Sequence, residues 1–228
     1  MIKNLRNKIQ IWAAIILIVS CAPVEQTSKS KHLKISVLAG TNFGGITENT
    51  DMAVLADTQV DAYTGATNAG LNVGVHLNYA VKNNQIETGI DYLYSNQIFS
   101  YSDVGNNFIG DRKLMLSQMM IPLSYNFVLF KNSLPKSDVQ LKLGLLGQLN
   151  FLTTDDTGNL PDFSLNRFSG GLVFGISAFP VKFENGDKLG LYFDGYRGSQ
   201  IYADYYNQSS FEMPGSSFIK FGLKYQFN

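Results

Sequence analysis

The sequence predicts an all-β protein, an eight-stranded antiparallel up-and-down transmembrane β-barrel, and three observations predict it. Apolar residues recur at every second position through eight strand-sized segments, the last of them at the very end of the chain. Segments with this period form strands with one apolar and one polar face. The connections between them alternate short and long, as turns and outer loops do in barrels of bacterial outer membranes. Charged residues make up 16% of the chain, against about 25% in soluble domains. Aromatics reach 13%, with 12 Tyr and 16 Phe, which suits interfacial girdles around a lipid-facing wall.

Residues 1–22 form a targeting segment. Lys3, Arg6 and Lys8 give it a basic start, and residues 9–19 are apolar except Gln10. This core falls short of the about 20 apolar residues that span a bilayer as a helix, and it reads as a secretory signal outside the fold. The only Trp, Trp12, lies within it. Ile18-Val19-Ser20-Cys21 resembles a bacterial lipobox, in which Cys21 would be acylated. Ser20 and Ala22 around an ordinary cleavage site are the alternative, with Pro23 then just beyond the cut. Cys21 is the only cysteine, so the chain has no internal disulfide. Residues 23–31, rich in Ser, Thr and Lys, are a tether to a barrel domain at residues 32–228.

Eight strands are expected near residues 32–41, 69–80, 85–96, 114–127, 138–151, 168–179, 188–196 and 217–228. In the second, Leu71, Val73, Val75, Leu77 and Tyr79 oppose Gly70, Asn72, Gly74, His76 and Asn78. In the eighth, Ile219, Phe221, Leu223, Tyr225 and Phe227 oppose Lys220, Gly222, Lys224 and Gln226. Short connections fall at residues 81–84, 128–137 and 180–187, and long ones at 42–68, 97–113, 152–167 and 197–216. An even count lets the first and last strands pair antiparallel, so that no edge is left. Asn83-Asn84 suits a two-residue turn, because Asn tolerates positive φ. Pairing about it sets Lys82 opposite Gln85 and His76 opposite Asp91. Pro122 lacks a donor for the ladder and predicts a local bulge.

The polar alternate residues place Lys34, His76, Glu87, Asp91, Lys142, Lys188, Asp194, Lys220 and Lys224 inside the barrel. Eight strands enclose a lumen narrow enough for side chains to fill. Charges there must be paired or hydrated, so they form a plug that fixes register. A narrow conductance and a proton-linked role for His76 with Asp91 are the functional alternatives. Some eight-stranded outer-membrane barrels are lipid-modifying enzymes. Here His32 and His76 are the only histidines and no nucleophile stands near His76, so no catalytic residue is assigned.

Equal numbers of basic and acidic residues, 18 of each, speak against nucleic acid as a partner. The first long loop carries Glu48, Asp51, Asp57 and Asp61 without Lys or Arg. The segment 154–159 lacks the acidic spacing of a calcium loop. Tyr202, Tyr205 and Tyr206 in the last loop suit loop packing or an interfacial belt. No cofactor or metal is expected. A soluble lipocalin-like carrier is the rival fold, with the same alternation turned inside out.

The final segment resembles the terminal assembly signal of outer-membrane barrels. Lys220, Gly222, Tyr225 and Phe227 fill its places, with Asn228 one residue beyond the usual aromatic end. Residues 32–227 as a whole resemble the PorT-like outer-membrane β-barrel family of Bacteroidota. The carriers are Gly70-Leu71-Asn72-Val73-Gly74-Val75, Glu87-Thr88-Gly89-Ile90-Asp91-Tyr92, Ile121-Pro122-Leu123, Leu141-Lys142-Leu143-Gly144 and Tyr225-Gln226-Phe227. Met120 stands where that family often has an acidic residue, and the lipobox is a second departure. The resemblance implies the barrel fold and the bacterial outer membrane. The partners expected on this reading are outer-membrane lipid, the barrel-assembly machinery during insertion, and other outer-membrane proteins in a structural or accessory role.

Overall fold

Alternation of Val, Ile, Leu, Tyr and Phe with Gly, Asn and Ser gives each segment a strand with two unlike faces, and the sheet sorts those faces by curling shut. The computed structural model describes residues 33–46, 54–55, 58–103, 105–134, 137–156, 166–200 and 215–228. Nine strands run in order: β1 Leu33–Ile46, β2 Val54–Leu55, β3 Thr58–Val81, β4 Asn84–Asp103, β5 Phe108–Leu134, β6 Ser137–Asp156, β7 Phe168–Lys182, β8 Lys188–Gln200 and β9 Gly215–Gln226. Each of β3 to β9 pairs antiparallel with its sequence neighbour, and β1 pairs with both β9 and β3. Eight strands therefore close a ring without an edge, which satisfies the backbone everywhere along the wall. The two-residue β2 is an addition to the expected eight, pairing with β3 at Gln59 and Thr58 outside the ring.

Sidedness is unambiguous. Leu143 and Leu223 are 59% and 55% exposed, whereas Lys142, Lys220 and Lys224 are 5%, 3% and 0% exposed. Val73, Val75, Leu77, Ile90, Leu145, Leu172, Phe174, Leu191 and Phe221 also face outward. A soluble carrier requires the opposite arrangement. At the turn end, Tyr125 packs edge-on against Phe127, and Tyr225 against Phe227. Phe183 adds a third ring beside Tyr225.

Three expectations are corrected. The β3–β4 turn is Lys82-Asn83, with Val81 opposite Asn84 and Lys82 carrying the positive φ of 56°. His76 consequently lies opposite Gly89, and Asp91 opposite Gly74. The shift is two residues, so every side chain keeps its face. Pro122 makes no bulge: it sits in register opposite Leu146. On its other side the pairing with β4 simply skips from Thr88–Leu123 to Asp91–Met120 without a shift, which leaves the missing N–H without a demand on it. Finally, much of the sequence assigned to long loops is strand. β3 starts at Thr58, and β4 and β5 reach Asp103 and Phe108 before turning. β5 also runs through to Leu134, within a connection expected to be a short turn.

In that extension the pattern inverts. Phe99, Tyr101, Leu114 and Leu116 point inward and are buried, while Ser100 and Asp111 lie on the outer face and hydrogen-bond each other at 2.6 Å. Outward alternation is apolar only up to this extension, which is why the extension does not read as strand.

Candidate functional site

Charged side chains meet in a septum across the lumen, built from β3, β4, β6, β8 and β9. The lumen-facing positions of these strands supply His76, Glu87 and Asp91, Lys142, Asp194, and Lys220 with Lys224, all buried. Lys220 Nζ donates to Asp91 Oδ2 at 2.8 Å. Lys224 pairs with Glu87 Oε2, which also accepts from Asn126 Nδ2 at 3.1 Å. Lys142 Nζ lies 2.8 Å from Asp194 Oδ2 and 2.9 Å from Glu87 Oε1. His76 joins the two carboxylates of β4. Its Nε2 hydrogen-bonds Asp91 Oδ1 at 2.8 Å, and its Nδ1 stands 3.0 Å from Glu87 Oε1 without hydrogen-bond alignment. Three carboxylates thus face three ammonium groups, with the imidazole between. Pairing of this completeness offsets the desolvation that would exclude lone ions from such a space.

Glycines make the septum possible. A Cβ on Gly74 would run into Asp91 Oδ1, one on Gly175 into Asp194 Oδ1, and one on Gly89 into the His76 ring. Each of these glycines is the cross-strand partner of the residue it accommodates. The lumen has room for the large polar groups because the wall beside them carries no side chain.

Above the septum, toward the loop end, Leu93, Met120, Leu146, Val173, Tyr196 and Phe218 form an apolar layer. Each sits two to four residues loopward of a septum residue on its strand or of that residue's neighbour. Tyr196 and Phe218 stack with ring centroids 6.0 Å apart. Beyond the layer Gln148 accepts from Tyr196 Oη at 2.9 Å and Ser216 Oγ at 3.1 Å, and Asn150 accepts from Gln118 and Gln148. Below the septum Asn78 Nδ2 donates to Ser36 Oγ at 2.7 Å.

Of the nine predicted lumen residues, seven meet in the septum. Lys34 and Lys188 stand instead at the turn-end mouth. Lys188 pairs with Asp138, which also takes Lys182 at 3.2 Å, and Lys34 donates to Asn228 Oδ1 at 2.8 Å. Asp138 escaped the sequence analysis, although it shares the parity of Gln140 and Lys142 on β6. The pairing of Tyr192 Oη with Asn72 across the barrel escaped it too. Sequence parity marks both as inward but does not pair them. At the same mouth Asp187 accepts from Tyr225 Oη at 2.7 Å and from the Asn228 N–H at 2.8 Å. These donors, Tyr225 foremost, hold its carboxyl below the usual value. The predicted assembly-signal residues divide between faces: Tyr225 and Phe227 belong to the outer aromatic cluster, and Gly222 lies in the wall between Gly40 and Tyr192. Cys21, residues 23–31 expected as a tether, Glu48, Asp51, Asp57, Tyr202, Tyr205 and Tyr206 lie outside the described residues.

No group of three or more His, Cys, Asp or Glu among the described residues is arranged to hold a metal ion. The septum's carboxylates are already engaged by lysines.

The ring and its filled lumen define the class: a closed, eight-stranded antiparallel barrel with an apolar exterior and a polar interior. No family model matches the chain, and no curated protein matches it. Among solved structures, the crystal structure of the outer membrane protein OprG from Pseudomonas aeruginosa shares the fold. The TM-score is 0.50 at 12% identity, over 87% of this chain and 97% of that one.

Proposed function

We propose that this chain is a small β-barrel protein of the bacterial outer membrane with a structural or accessory role, its lumen sealed to ions by the charged septum. One observation carries the reading: a wall of Leu, Val, Ile and Phe faces outward all around the ring while the lysines and carboxylates face in. In water that wall would be a very large apolar patch; against acyl chains it is the expected exterior of a spanning barrel. The likeness to OprG in fold is consistent with the location. The proposal includes no catalytic activity.

The PorT-like resemblance belongs to this proposal and rests on the residues quoted above. Acylation of Cys21 would add a second anchor, since an acyl chain contributes about 0.8 kcal/mol per buried CH₂. Recognition of Gly222, Tyr225 and Phe227 by the assembly machinery is part of the same reading, as are contacts with other outer-membrane proteins through the loop end.

Fractionation of cells expressing the tagged chain tests the core of it. The protein should stay with membranes through carbonate washing and leave them only in detergent. In planar bilayers the purified barrel should give no ohmic single-channel steps. A carbonate-soluble monomer refutes the location, and salt-conducting steps refute the seal.

A further inference from the structure

We propose that Arg167 and Arg197 form a site on the outer wall that binds the phosphate groups of the acidic glycolipid in the outer leaflet. The inference names one lipid contact of the outer-membrane barrel proposed above and rests on that reading. In such barrels the long connections face outside the cell and the short turns face the periplasm, so the loop end of this wall meets the outer leaflet.

Height on the wall follows from the register. A row of cross-strand partners leaves β1 at Ile35, passes Leu77, Leu145 and Arg197, and returns to β1 at Gly45, ten residues nearer the loop end. A slip of that size over eight strands tilts them by about 41° from the barrel axis, and each strand step climbs about 3 Å toward the loop end. Arg197, six strands along the row, therefore stands about 19 Å above Ile35, and Phe168 about 26 Å above it. Tyr79 and Phe227, on the same reckoning, lie about 2–3 Å below Ile35. The apolar band of a spanning barrel is about 25 Å tall. A band that starts at Tyr79 and Phe227 ends between Arg197 and Phe168.

At that boundary the exterior changes character. Arg197 is exposed on the outer face of β8, in line with Leu191 and Phe193, and Ser217 of β9 stands opposite it. Arg167, exposed ahead of β7, lies over the outward ring of Phe168 with its guanidinium 5.9 Å from the centroid. Ser199, two residues loopward of Arg197 and also exposed, accepts from the Gly170 N–H at 3.4 Å. Leu172 and Ile219 are exposed beside Arg197. Among the described residues no acidic side chain lies on this part of the outer face, and neither guanidinium has an ion-pair partner. Two cations thus sit where acyl chains give way to headgroups, with apolar side chains below them and serine hydroxyls beside them. Phosphate is the anion found at that depth, and a guanidinium binds it through paired N–H donors. Lys113, the outward cation of β5, lies on the strand extension about 34 Å above Ile35, beyond the reach of the same headgroups.

The test uses the full-length protein, purified folded in a neutral detergent and titrated in native mass spectrometry with bisphosphorylated lipid A or with the same lipid freed of phosphate. The wild type should half-saturate with the phosphorylated form at a concentration roughly thirtyfold lower, the effect of two cations at a charged lipid surface. Arg167→Gln combined with Arg197→Gln should bring the phosphorylated lipid to the value of the phosphate-free one, while Lys113→Gln should change nothing. Folding of each variant is checked by the band shift on unheated gels. Equal half-saturation of the wild type by the two lipids refutes the site. So does full phosphate preference in the folded double variant, or a loss in Lys113→Gln as large as in the double variant. A chain that stays in carbonate-washed membranes without phosphate preference overturns the arginine site and leaves the location standing; a carbonate-soluble chain overturns both.

Discussion

Lys142 is the single side chain whose loss most clearly tests whether the septum is a set of compensating charges. Its Nζ lies 2.8 Å from Asp194 Oδ2 and 2.9 Å from Glu87 Oε1. Among the described residues no other ammonium stands within ion-pair distance of Asp194, and Asp194 Oδ1 has no hydrogen-bond partner. Lys142→Met keeps an unbranched side chain, one heavy atom shorter, and deletes its charge. Unit charges 2.8 Å apart attract by roughly 6 kcal/mol at an effective dielectric constant of about 20. Desolvation takes back several kcal/mol per ion, and stranding one partner of a buried pair costs about 3–5 kcal/mol. Glu87 is cushioned by Lys224 and His76, so nearly all of that loss should come from Asp194. Adding Asp194→Asn in the Lys142→Met background should therefore recover about 1–3 kcal/mol, the cost of leaving a buried acceptor charged and unsatisfied. Unfolding by urea in lipid vesicles, followed by circular dichroism and by the shift between folded and unfolded bands on unheated gels, measures both. Indole fluorescence would not serve, because the only Trp is Trp12, which precedes the barrel strands. If the single and double variants agree within about 0.5 kcal/mol, the two sites are uncoupled. The carboxylate of Asp194 is then held by water rather than by Lys142, and the compensation argument fails.

Three further outcomes are expected. Leu143→Arg places a cation on the outer face in mid-strand and should cost about 2–4 kcal/mol of stability in vesicles; an unchanged urea midpoint would mean that this face does not meet acyl chains. Gly74→Ala puts a methyl group into the space held by Asp91 Oδ1, whose carboxylate His76 and Lys220 fix, and overpacking of this kind costs about 1–3 kcal/mol. A fully stable Gly74→Ala barrel, by the same urea titration, would show that Asp91 moves freely. At the turn-end mouth the Tyr225 hydroxyl and the Asn228 N–H hold the Asp187 carboxyl below its ordinary 3.8. A depressed carboxyl stabilises the fold above its unfolded value and loses that contribution as pH falls through the folded one. Hydrogen exchange at the Phe183–Asp187 turn should accordingly quicken below pH 3.8 in the wild type but not in Asp187→Asn. The effect should be small, since the carboxyl sits at the rim where solvent screens it.

What the sequence discloses and what it withholds divide along the geometry of a strand. Parity is a property of the chain alone, so the inward set could be read before any pairing was known: Lys142, Lys220, Lys224, Glu87 and Asp91 are inside because their neighbours are Leu, Phe and Ile. Partnership is a property of register and of the distance across a lumen, and neither is written in one strand. Sliding the β3–β4 hairpin by two residues leaves His76 inward while replacing its cross-strand partner Asp91 with Gly89. Yet His76 still reaches Asp91, because Gly89 and Gly74 leave the space open and the imidazole leans across it. The glycines were visible in the sequence as weak strand residues, and only opposition to a large polar group gives them a purpose. The extension of β3 to β6 was hidden by a different effect. Apolar-out alternation identifies a strand only where its outer face is apolar. At Phe99, Ser100 and Tyr101 the outer face is polar and the inner one aromatic, so the template that finds the apolar wall inverts. The point of inversion is itself informative: it marks how far up the wall the apolar exterior reaches. A polar substitution outward of it, at Ser100, should leave membrane insertion untouched where Leu143→Arg does not.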